Sequence, residues 1–182
     1  MKLFLCDGGS GNQIKFALNK FSSSIDKKKP ILYIPLAMSE DKYDSCKEWF
    51  SSEMKLIGIK KFDMVRNSLE LSKKNFKNYC ALFIGGGNTY RLLKNIKDNS
   101  NFEKIKEYLD NDGIIFGGSA GAIIFGKNIN SCLLDDSNYV GLKNFDGFNC
   151  LSNYSILCHL NNKNFKKNNN YLMEFLKKTT II

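Results

Sequence analysis

The stretch IIFGGSAGAIIFG, residues 114–126, sets one hydroxyl, that of Ser119, between Gly118 and Gly121. An apolar run leads into it and small residues follow. The segment GGSAG fits Gly-x-Ser-x-Gly, the pattern in which a sharp strand-to-helix turn holds a serine clear of a sheet. The same glycines would also permit tight helix–sheet packing, so the pattern alone leaves both readings open. A serine hydroxyl needs a base to act as a nucleophile. The chain has one histidine, His159, at the end of the apolar run YSILC. A Ser–His pair can therefore be composed in one way. Between the two lie Asp135 and Asp136, in LLDDSN. Either can supply the acid that orients an imidazole, with Asp146 a weaker third. A tetrahedral intermediate also needs N–H donors. Ala120 offers one, and Gly86 or Gly87, in GGGN at 85–88, offers another. Asn88 closes that run and suits a helix N-cap, from which it can also touch substrate.

These residues sit at the ends of a regular alternation. Apolar runs at 2–6, 30–37, 60–65, 81–87, 113–119 and 154–160 read as strands. Helical patterns lie at 13–21, 43–57, 89–96 and 102–109, with a short helix or loop after residue 68 and a further short helix at 171–178. Strands separated by helices predict an α/β fold with a mostly parallel sheet covered on both faces. Three glycine-rich turns, GGSGN at 8–12, GGGN at 85–88 and GGSAG at 117–121, each follow a strand. In an open parallel sheet such turns converge on the carboxyl edge, where ligands bind. Neither a Walker loop nor a GxGxxG fingerprint is present, so a flavodoxin-like phosphate or nucleotide site is a secondary reading.

The bulk properties bound the alternatives. At 182 residues, 43% hydrophobic and 25% charged, the chain suits one domain spanning 1–182. No apolar stretch approaches the roughly 20 residues of a membrane span. A cytoplasmic protein is the expectation, and the six cysteines, none in a CxxC pair, read as buried thiols in a reducing compartment rather than as metal ligands. The net charge of +9 comes from lysines scattered among asparagines. That pattern fits solvated faces, and no nucleic-acid-binding module is seen.

FIGGGNTYRLL at 83–93, followed about thirty residues later by GGSAGAI at 117–123, resembles the dipeptidase E and cyanophycinase family of serine peptidases. The opening strands KLFLCDGGSGNQ and KPILYIPLA resemble it too. The resemblance implies a three-layer fold similar to class I glutamine amidotransferases. It implies Ser119 as nucleophile, His159 as base and an acid about fifteen residues after the serine, at Asp135 or Asp136. It implies a short peptide substrate and neither a metal nor an organic cofactor. Two features depart from the family. The segment after His159, HLNNKNFKKNNN, has no arginine, and the chain ends at TTII, where the family continues with further strand. A catalytically weak member acting as a binding protein is therefore the rival reading. Lys163, Lys166 and Lys167 would favour a modest preference for acidic N-terminal residues.

Overall fold

The computed structural model describes residues 1–159. Five strands form one parallel sheet: β1 (Lys2–Cys6), β2 (Ile31–Ile34), β3 (Phe62–Met64), β4 (Ala81–Ile84) and β5 (Ile114–Gly118). Their order across the sheet is β1-β5-β4-β2-β3. The runs ILYI and ALFI are buried at every position, as strands covered on both faces must be. Alternation then sorts their side chains. Ile31, Tyr33, Ala81, Phe83 and Phe116 face α1 (Lys15–Ser22) and α2 (Tyr43–Leu56). Leu32, Ile34, Leu82, Ile84 and Ile115 face the opposite layer. That layer contains α3 (Ser68–Lys73), α4 (Thr89–Lys97), α5 (Asn101–Asp110) and α6 (Ala120–Ile123). Phe21, Phe50, Phe83 and Phe116 are each at most 1% exposed. Burial of each contributes about 1.5–3 kcal/mol, and Phe83 stacks on Phe116 with centroids 4.5 Å apart.

One element departs from expectation. Residues 154–159 form no strand. Their polar backbone finds partners in the preceding loop instead of in a neighbouring strand. The Lys127 N–H donates to the Tyr154 carbonyl, and Ser131 Oγ donates to that of Ile156. Ile156 and Cys158 pack against the α4–α6 layer, which explains why the run is apolar without pairing into the sheet. The expected helix at 171–178 and the TTII end lie outside the described residues. Among the described residues, no helix is long and apolar enough to cross a membrane.

Candidate active site

Ser119 follows β5, whose neighbours in the sheet are β1 and β4. Its backbone has φ 52° and ψ −116°, a conformation that costs a non-glycine residue about 1–3 kcal/mol. The strain is held from both sides. The Ser119 N–H donates to the Cys6 carbonyl at 3.0 Å, and the Ser119 carbonyl accepts from Ala122 and Ile123. Both readings of the flanking glycines hold together. A Cβ on Gly117 would fall 2.2 Å from the Gly121 carbonyl oxygen, and one on Gly121 would fall 2.2 Å from that of Ile84. Close packing of α6 onto β4 and β5 is what makes the turn sharp enough to present the hydroxyl.

Ser119 Oγ lies 2.8 Å from Nε2 of His159. With the ring proton on Nδ1, the hydroxyl donates to Nε2. His159 itself has φ 60°, and its backbone N–H donates to the carboxylate of Asp7. Asp7 Oδ1 also lies 3.8 Å from Nδ1 of His159. Gly8 brings this loop in close: a Cβ there would sit 3.1 Å from Ser119 Cβ and 3.7 Å from His159 Cε1. Asp7 lies in the opening segment KLFLCDGGSGNQ, and nothing in its spacing to Ser119 or His159 marks it as an acid of the site. Its one sequence signal is its place at the end of β1, opening the first glycine-rich turn.

The other candidate acids separate by environment. Asp136 accepts the Thr89 N–H at 2.8 Å, at the N-terminus of α4. Asn88 caps the same helix, accepting from the Arg91 N–H and donating to the Ser137 carbonyl. Asp146 lies near Lys97. The carboxyl of Asp135 is held above the usual carboxylate range. Asp135 is exposed, so its desolvation is partial; that desolvation is still the main cause, the His159 charge pulls it down, and the charges of Asp136 and Asp7 push it up. Asp135 thus lies within electrostatic reach of His159, while Asp136 is engaged at a helix end.

Gly86 borders the hydroxyl, since a Cβ there would lie 3.1 Å from Ser119 Cβ and 3.6 Å from its Oγ. Gly86, Gly87, Ser119 and His159 line one cavity of about 510 Å³. Ala120 is fully buried as the first residue of α6. Cys158, next to the histidine, does not compete as a nucleophile. Burial above all, with help from the Asp7 charge, pushes its thiol up to about 12, and the thiolate is the reactive form.

The model of peptidase family S51 matches residues 3–182. The chain belongs to peptidase family S51. It is a serine peptidase of the dipeptidase E and cyanophycinase type, a hydrolase acting on peptides. The chain is similar to the uncharacterized peptidase Lmo0363 of Listeria monocytogenes serovar 1/2a, 31% identical over 144 residues, covering 76% of this chain and 69% of that protein. The uncharacterized peptidase Lin0382 of Listeria innocua serovar 6a is 28% identical over 143 residues, covering 76% and 68%. A solved Listeria monocytogenes EGD-e protein, provisionally described as peptidase E, superposes with a TM-score of 0.78 at 25% identity, over 100% of this chain and 89% of that one. A peptidase from an acI-B1 actinobacterium gives a TM-score of 0.67 at 19% identity, over 91% and 73%. That second likeness carries the α/β fold alone.

Proposed function

We propose that this S51 chain hydrolyses short peptides, dipeptides among them, through a triad of Ser119, His159 and Asp135. Ser119 Oγ attacks the scissile carbonyl carbon as its proton passes to His159 Nε2. Asp135 stabilises the imidazolium that forms. The N–H groups of Ala120 and of Gly86 or Gly87 receive the developing oxyanion. The intermediate collapses, the C–N bond breaks and the imidazolium protonates the leaving amine. Water then attacks the acyl-serine, with His159 as base, and releases the acid product and free Ser119. The observation that carries this reading is the 2.8 Å contact between Ser119 Oγ and His159 Nε2 at a strained elbow residue.

All six cysteines are unpaired thiols, which supports action in the reducing cytoplasm. The acidic N-terminal preference rests on Lys163, Lys166 and Lys167, which lie outside the described residues. No lysine or arginine among the described residues lines the cavity, so its described walls give that preference no support. Incubating a dipeptide panel with the wild type and with Ser119→Ala, and following free amino acids, tests the proposal. Release by the wild type and none by the variant is expected. Equal release by both would overturn it.

A further inference from the structure

The cavity beside Ser119 carries information about substrate that the triad does not. The backbone of Gly8 and Gly86 borders Ser119, and Tyr33, Met38, Cys46, Trp49, Phe83 and Phe116 line the rest of the cavity. Phe83 and Phe116 are buried beneath it, while Met38 and Trp49 are half-buried and form its accessible wall. Ser45, Cys46 and Trp49 lie three and four residues apart on α2, so one helix face turns toward the site. Trp49 meets Phe83 edge-on at 6.2 Å and leans on Tyr33 at 6.5 Å. The one phenol among these lining residues is spoken for. Tyr33 is 2% exposed and shares a hydrogen bond with the Cys46 thiol, and burial raises its hydroxyl far above the ordinary tyrosine value.

Among the described lining residues the groups able to carry charge are His159, the phenol of Tyr33 and the thiols of Cys6 and Cys46. Burial raises both thiols and so keeps them neutral. A carboxylate placed against this wall would lose hydration, and among the described lining residues only His159, at the mouth beside Ser119, could meet it as a cation. An aromatic or branched aliphatic side chain would lose water gladly and gain ring faces and a thioether. A cavity of about 510 Å³ lies within the 300–1,000 Å³ typical of small-ligand sites.

We propose that this cavity is a specificity pocket for an apolar, aromatic-sized side chain flanking the scissile bond, so that the enzyme favours apolar over aspartyl short peptides. The proposal rests on the reading of Ser119 as the nucleophile. Two readouts separate them. Calorimetry on Ser119→Ala gives binding of Phe-Ala, Leu-Ala, Asp-Ala, Ala-Phe and Ala-Asp. Wild-type kcat/KM gives turnover of the same peptides. A Phe or Leu peptide should exceed its Asp counterpart by about tenfold or more in both, the discrimination that a few buried carbons supply. Trp49→Ala should move that ratio toward one, and Trp49→Phe should retain most of it. Cleavage with Asp peptides equal or better would overturn the pocket and leave the nucleophile standing. Apolar-selective binding without turnover of any peptide would overturn the nucleophile and leave the pocket standing. Neither selective binding nor turnover would overturn both.

Discussion

Asp7 accepts the backbone N–H of His159 across 152 residues of sequence, and the same carboxylate oxygen lies 3.8 Å from the ring Nδ1. That separation is long for a hydrogen bond to the ring, so the backbone contact is the one that fixes the histidine. It holds a residue whose φ of 60° would otherwise be disfavoured.

Asp7→Ala should therefore lower kcat by about tenfold to a hundredfold, because small misplacements of a base are costly, while KM changes little. Asp7→Asn keeps an oxygen that can accept the backbone N–H and should retain most of the activity. Steady-state kinetics on both variants provide the check. An inactive Asp7→Asn would show instead that the negative charge near Nδ1 matters.

The two adjacent acids should fail in different ways. Asp135→Asn should reduce kcat by about 10²- to 10⁴-fold, as loss of the orienting acid does in serine hydrolases. Asp136→Asn should leave the chemistry nearly intact. Its weakened contact to the Thr89 N–H should cost about 0.5–1 kcal/mol of stability, read from denaturant midpoints.

Asp135 also carries a pH signature. Its carboxyl is raised, chiefly by partial desolvation, so its protonated form suits the fold better than its charged form. That contribution is fully present below the unfolded value of about 3.9 and is lost as pH rises through the higher folded value. The stability of the wild type relative to Asp135→Asn should fall as pH climbs from about 4 and level off once the raised group has ionised. Urea titrations across that window would reveal it, and a rising difference would contradict the sign.

Strain at the elbow should trade stability for function. Ser119→Gly relieves the positive φ and should stabilise the protein by about 1 kcal/mol, roughly 2–4 °C in Tm at this size, while abolishing hydrolysis. Gly121→Ala should do the opposite. Its new methyl would meet the Ile84 carbonyl at 2.2 Å, backbone that cannot swing aside, at a cost of about 3 kcal/mol or more. Thermal melts of the two variants give the comparison.

Parts of this candidate site are legible in one sequence and parts are not. Ser119 is legible because its turn is local: an apolar run, then glycines at fixed spacing. His159 is legible because no other histidine exists. Asp135 and Asp136 cannot be told apart by spacing, since what separates them is which one faces a helix end. Asp7 is hidden because its contact to His159 is long-range and to backbone, which leaves no spacing to read. Residues 154–159 read as a strand because they are apolar, and periodicity cannot distinguish a strand from an irregular segment packed on a core. Trp49 has the spacing of an ordinary core residue of α2, and only the sheet beneath it makes it a cavity wall.

Covalent labelling reads out whether His159 activates Ser119. Intact-mass and peptide-level mass spectrometry after treatment with a fluorophosphonate would locate and time the adduct. One adduct on Ser119 is predicted, absent in Ser119→Ala and formed at least about a hundredfold more slowly in His159→Ala. A folded protein that forms no adduct at Ser119, or one that labels equally fast without His159, would rule out a Ser119 nucleophile activated by His159.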